Sequence, residues 1–142
     1  MTMKKYAYWI STGLVTLLYT MSVTMYVRQW DHVRELLGAL GYPAYLVPVL
    51  IIAKSLGLLA ILSRASVLLS DLAYAGMFFH LLLAFSAHVN AGEYVGSIPS
   101  VVGLAAVVVS FLTQNAARAK KSPYGLGESA AGSGVTRPAT AG

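Results

Sequence analysis

No cysteine occurs in the 142 residues, and charge is scarce: 11% of the chain is Asp, Glu, Lys or Arg, and only five residues are acidic. Without cysteine the chain has no thiol–disulfide chemistry, Fe–S cluster, cysteine nucleophile or structural Cys–zinc site. A soluble domain carries roughly a quarter charged residues to coat itself, so this chain lacks the coat. It also has no Gly-rich phosphate loop, no nucleophile elbow and no HExxH pair, and its histidines do not form an opposed haem-ligating pair. The chain is instead 57% hydrophobic, and its apolar residues fall in blocks of about 20, the length of a membrane-spanning helix.

The sequence predicts an all-α integral membrane four-helix bundle. Its spans run over about 6–27, 45–62, 67–89 and 98–113, within a transmembrane domain of residues 1–116. Lys4 and Lys5 precede the first block as in a signal peptide, but it lacks a small-x-small cleavage site and exceeds an h-region in length. It therefore reads as an uncleaved span. Ser63 to Ser66 make a tight turn, and Asn90 to Ser97 a polar loop. Between spans one and two, Asp31 to Leu40 form a short interfacial helix with Val33, Leu36, Leu37 and Leu40 on one face. Asp31 is placed to cap it, and Gly41 and Pro43 to end it. Covering the bundle and merely connecting two spans both fit this helix. Residues 117–142 form a tail. From Ser122 onward it is largely Gly, Ala, Ser, Thr and Pro, too poor in bulky side chains to offset chain entropy, and disorder is expected.

Orientation follows from the cations that make up most of the net charge of +5. Lys4, Lys5, Arg64, Arg118, Lys120 and Lys121 lie at one end of the bundle; Arg28 and Arg34 lie at the other. By the positive-inside rule both termini are cytoplasmic, in the inner (plasma) membrane. Cations at helix ends fit membrane topology, and no nucleic acid partner is expected.

Ionisable groups within a span are costly and point to function. Three occur here: Lys54, Asp71 and His80. Lys54 is expected about 12 Å deep and His80 about 20 Å, near the midplane, while Asp71 is shallow. At about 100° per residue, Asp71 and His80 face opposite sides of span three. His80 shares its side with Ala73, Gly76, Ala84 and Ala87, a small-residue face that admits another helix. On span one, Tyr8, Thr12, Thr16, Tyr19 and Tyr26 form a polar stripe. Tyr19 matches His80 in depth, and Thr16 matches Lys54. Thr16, Tyr19, Lys54, His80 and Asp71 are thus the candidate ligand-binding residues, with Lys54 and His80 as the candidate catalytic pair. Structural roles compete for each: snorkelling or an Asp71 pair for Lys54, cross-helix packing for His80, backbone bonding for the stripe and an interfacial position for Asp71. His88 and Glu93 near the polar loop make only two potential metal ligands, and no metal is expected.

Several stretches carry a family resemblance: Leu40-Gly41-Tyr42-Pro43, Ala53-Lys54-Ser55-Leu56-Gly57-Leu58-Leu59-Ala60, Asp71-Leu72-Ala73-Tyr74-Ala75-Gly76-Met77-Phe78-Phe79, and Ser86-Ala87-His88 with Gly92-Glu93. In this order they resemble the DoxX-like family of small bacterial membrane proteins over about residues 6–113. Glu93 departs from the Asp that the family often has. The resemblance implies a four-helix membrane bundle. The family's namesake is similar to a subunit of a thiosulfate–quinone oxidoreductase, and a distant animal relative assists receptor assembly.

Three functions fit these residues. The first is binding of a lipophilic small molecule such as a quinone, its polar end held by Tyr19, Lys54 and His80. No cofactor is expected within the chain itself, so a membrane partner subunit would supply electrons; a second copy of the chain is a further expected partner. The second is a membrane-embedded acid–base enzyme, an isomerase or hydrolase of a lipophilic substrate, using Lys54 and His80 for proton transfer. The third is an assembly or chaperone protein acting through its helix faces. The topology itself is directly testable. In the cysteine-free chain, a single cysteine in the tail and one at Asn90 should react with an impermeant thiol reagent from opposite sides of the membrane; reaction from the same side would overturn the four-span arrangement.

Overall fold

The computed structural model describes residues 2–126, and these contain helices and turns but no strand. Five α-helices follow in order: α1 (Met3–Arg28), α2 (Trp30–Ala39), α3 (Leu46–Ser63), α4 (Val67–Asn90) and α5 (Ile98–Ala117), the last entered through a single 3-10 turn at Val95–Ser97. Four of them, α1, α3, α4 and α5 with its 3-10 lead-in, are long and apolar enough to cross a membrane. They alternate in direction. One end of the bundle carries the start of α1, the end of α5 and the α3–α4 turn (the terminal end); the other carries α2 and the α4–α5 loop (the loop end).

Each span packs on two neighbours: α1 on α3 and α5, and α4 on α3 and α5. Helices α1 and α4 therefore face each other across a diagonal. The most extensive packing, of α1 against α5, uses small residues on α5. Ser100, Gly103, Ala106 and Ser110 are buried at helical spacing, and a Cβ at Gly103 would meet Leu18 of α1 at 3.6 Å and Leu81 of α4 at 3.1 Å. Without water to drive association, close van der Waals packing of this kind holds membrane helices together. The central core comprises Val15, Leu58, Ile61, Met77, Leu81, Ala106 and Val107 with Tyr19 and Tyr74.

Helix α2 buries Val33 and Leu37 against Val47 of α3, with Tyr26 and Tyr42 alongside, and leaves Leu36 half exposed. It begins one residue earlier than expected. Gln29 is its N-cap, and Asp31 sits in the first turn, where a carboxylate favours the positive end of the helix dipole. Gly41 adopts φ +87 and ends the helix as predicted.

The terminal end departs most from the sequence reading. Span four does not stop near Thr113 but continues to Ala117, burying Gln114 and Asn115. The expected disordered tail from residue 117 is corrected for 118–126, which form a strap packed on the bundle. Ser122 is fully buried. Its N–H donates to Asn115 Oδ1 and its carbonyl accepts from Asn115 Nδ2, both at 2.7 Å. Leu126 N–H donates to the Leu112 carbonyl at 2.8 Å. The strap is anchored by backbone groups meeting the Asn115 amide and the Leu112 carbonyl, not by apolar burial, so composition did not disclose it. Residues 127–142 of the expected tail lie outside the described residues.

Arg64 organises this end. It closes α3 in the left-handed conformation, φ 52 and ψ 33, which costs a non-glycine residue roughly 1–2 kcal/mol. Its side chain, 5% exposed, offsets that cost. Nη1 donates to Ser70 Oγ at 2.9 Å and to Gln114 Oε1. Nε and Nη2 donate to the Lys120 carbonyl at 3.1 and 2.7 Å. Arg118 ties the remaining helix: it donates to Tyr8 Oη of α1 at 2.7 Å and to the Ile61 and Leu62 carbonyls at the end of α3. The strap should therefore stabilise the bundle. Removing residues 118–142 is expected to lower thermal stability in detergent, by at least the roughly 1–3 kcal/mol of one stranded buried polar group. Asn115→Leu should reproduce part of the loss; an unchanged unfolding midpoint in both would show that the strap is not structural.

Candidate functional site

The candidate site lies around Lys54, midway along α3, and the lean of its side chain decides its contacts. Helical side chains tilt toward their own N-terminus. Helix α3 begins at the loop end, so the Lys54 stem leans that way, away from the terminal end toward which snorkelling was expected. The ammonium arrives at the level of Ser22 and Tyr26 on α1, past Thr16. Nζ donates to Ser22 Oγ at 2.6 Å and lies 3.9 Å from the centroid of the Tyr26 ring, a cation–π contact. Lys54 is 6% exposed. It forms no pair with Asp71; the one ion pair among the described residues joins His88 and Glu93 at 3.2 Å, at the loop end.

His80 lies on α4, which runs opposite to α3. Its side chain therefore leans toward the terminal end, so the heads of Lys54 and His80 approach one depth from two directions. His80 Nδ1 shares a hydrogen bond of 3.0 Å with the Tyr19 hydroxyl, and the rings meet edge to face with centroids 5.8 Å apart. This contact crosses the diagonal between α1 and α4, whose backbones do not touch. His80 Nε2 has no partner among the described residues, yet no buried polar side-chain atom there lacks one. Nε2 is therefore accessible from the space beside it.

That space is a cavity of about 500 Å³ among α1, α3 and α4, bordered by Tyr19, Lys54, Gly57, Gly76, Met77 and His80. Glycine makes room for it: a Cβ at Gly76 would meet nothing within 4 Å, whereas one at Gly57 would meet Met77 Cε at 3.1 Å. The rim includes Leu56, Leu69 and Leu72, all more than half exposed on the outer surface of α3 and α4. The cavity thus opens sideways, between two spans, toward the bilayer. Its wall is apolar apart from Tyr19, Lys54 and His80, and it holds no carboxylate.

The five predicted residues divide into three groups. Tyr19, Lys54 and His80 come together. Thr16 does not join them: its hydroxyl donates to the Thr12 carbonyl at 2.8 Å, one turn back along its own helix. Asp71 stands elsewhere, in the network of the terminal end, where it accepts from Ser122 Oγ at 2.8 Å and Gln114 Nε2 at 3.4 Å. Between the two polar regions lies the apolar layer of Val15, Leu58, Met77 and Val107. The stripe on span one does face the interior, and part of it forms a buried hydroxyl chain: Thr12 Oγ1 is 2.6 Å from Ser110 Oγ, which is 2.7 Å from the Tyr74 hydroxyl. Sequence reasoning missed Ser22, the hydrogen-bond partner of Lys54. Its position three residues after Tyr19 and four before Tyr26 is a helical spacing that could have found it.

Four long apolar helices define a polytopic membrane protein. The chain belongs to the DoxX-like family, whose family model matches residues 10–110, a stretch that includes Tyr19, Lys54 and His80. No curated protein and no solved structure matched the chain.

The geometry separates Ser22 from Thr16 energetically. Ser22→Ala removes the one hydrogen-bond acceptor that Lys54 has among the described residues, and should destabilise the bundle by about 1–3 kcal/mol. Thr16→Val removes a hydroxyl bonded within its own helix and should change stability by less than about 0.5 kcal/mol. Denaturant unfolding in detergent compares the two; equal losses would show that the Lys54–Ser22 contact carries no special weight.

Proposed function

We propose that this protein binds a lipophilic small molecule in the cavity between α1, α3 and α4, with the polar end of the ligand against Lys54 and His80. The observation that carries this reading is the Lys54 ammonium. It is buried in mid-span, has one neutral hydrogen-bond partner at 2.6 Å, and borders a cavity without a counter-ion. An ammonium has three donors, and unmatched charge at this depth is expensive. A ligand oxygen would supply the missing acceptor. His80 Nε2 offers a second polar contact, and the lateral opening leaves the ligand's apolar tail among the lipids. A quinone fits these requirements: ring carbonyls accept hydrogen bonds, and an isoprenoid chain suits the bilayer. In this reading the chain is a ligand-binding membrane subunit, with both termini cytoplasmic, and redox chemistry on the ligand is completed by a partner subunit.

The test is mass spectrometry of small molecules extracted from protein purified in mild detergent. The wild-type chain should retain a lipophilic, oxygen-bearing molecule, expected to be an isoprenoid quinone, near one per chain. Lys54→Met should reduce retention at least about tenfold, the loss of one charge-assisted hydrogen bond of about 1.5–3 kcal/mol. Gly76→Leu should block binding by filling the cavity, with no loss of helix stability because Gly is the poorer helix former. Asp71→Asn should retain the ligand. Equal retention by Lys54→Met and wild type, or loss in Asp71→Asn but not in Gly76→Leu, would overturn the proposal.

A further inference from the structure

A second cavity, of about 510 Å³, lies on the other side of α4, between α4 and α5 near the terminal end. Its chemistry is the reverse of the first. Tyr74, Phe78 and Phe79 from α4, Phe111 from α5 and Tyr124 from the strap border it, and Asp71 is its one ionisable acid or base besides the two phenols. No cation among the described residues lines it; Arg64 turns inward to Ser70, Gln114 and the strap backbone. Tyr74 and Phe111 meet edge to face at 5.6 Å, and Phe78 and Phe79 at 5.4 Å, so the aromatic rings stand in crossed pairs.

Asp71 is the one acidic residue between Glu35 and Glu93, and therefore the one carboxylate within the four spans. Its recorded partners are neutral: the Ser122 hydroxyl and the Gln114 amide. It makes no ion pair among the described residues. A carboxylate offers about four acceptor sites, so two neutral donors leave it with capacity and with its charge unmatched. Aromatic faces attract organic cations, most strongly where water is excluded.

We propose that this cavity binds an amphiphilic organic cation: an alkylammonium head between Asp71 and the aromatic walls, with an apolar tail running into the bilayer. Phe79 and Leu68, both exposed on the outer surface and both lining the cavity, form the side along which the tail leaves. The ammonium comes from one of two sources, an aminophospholipid headgroup or a free hydrophobic amine. The site is independent of the Lys54 cavity, since the two share only Leu72 as a lining residue.

The full chain, purified in a neutral detergent, is titrated with dodecyltrimethylammonium, and bound adducts are counted by native mass spectrometry. One cation per chain is expected, displaced by dodecylamine and not by dodecanoate. Asp71→Asn should weaken binding at least about tenfold. Phe79→Leu, which leaves the Asp71 hydrogen bonds in place, should weaken it about two- to fivefold, as loss of one cation–π contact predicts. Lys54→Met should bind as wild type, which separates this site from the one under Proposed function. Unliganded melting temperatures exclude a folding defect in each variant. In nanodiscs, competition by phosphatidylethanolamine supports the lipid headgroup as source; its failure to compete, with dodecyltrimethylammonium still bound, supports a free amine. Equal uptake of dodecanoate, or wild-type affinity in both Asp71→Asn and Phe79→Leu, overturns the proposal.

Discussion

One guanidinium connects most of this bundle. Arg64 closes α3, reaches Ser70 on α4 and Gln114 on α5, and holds the strap through the Lys120 carbonyl. Among the described residues no carboxylate sits within ion-pair distance of it. A buried charge satisfied only by neutral acceptors avoids desolvating a second ion, but every acceptor becomes obligatory, because each lost partner strands a donor at full cost. Three helices and a strap are therefore fixed in register by the requirements of one side chain. Glycine would take the left-handed cap more readily, and could make none of these bonds.

The ionisable groups that border the two cavities are sorted by sign. Lys54 and His80 face one cavity, Asp71 faces another, and α4 lies between with His80 and Asp71 on its two sides. At the bilayer interior a basic and an acidic residue within reach would neutralise each other and leave nothing for a ligand. The apolar layer of Val15, Leu58, Met77 and Val107 keeps them apart. That separation is what leaves each group with unused hydrogen-bonding capacity.

The spans and the shared cavity were legible because both follow from periodicity. Hydrophobic block length gave the four helices, and the 100° step put His80, Gly76 and Ala73 on one face, and Asp71 on the other. The depth of Lys54 was misjudged for a reason periodicity does not carry: a long side chain leans along its helix, and the lean reverses between antiparallel neighbours, so Lys54 met Ser22 and Tyr26, not Thr16. Gln114, Asn115 and the strap were missed because polar residues at the end of an apolar block read as its boundary. Here the two amides continue the helix and turn inward, Asn115 to the backbone of Ser122 and Gln114 to the side chains of Arg64 and Asp71. Composition reports how much surface a segment can bury, and is silent on whether its amides find partners.

Helix α3 has 18 residues and α1 has 26, which correspond to about 27 and 39 Å. The hydrocarbon core is about 30 Å thick. The two sides of the molecule therefore ask different thicknesses of the surrounding membrane, and lipids beside α3 must thin or α1 must tilt to reconcile them. The mouth of the Lys54 cavity lies on the short side. Where thinning is the accommodation, the acyl chains beside that mouth are shortened. For the proposed ligand, membrane thickness then becomes a variable of access, with thinner membranes bringing the mouth and the bilayer surface closer together.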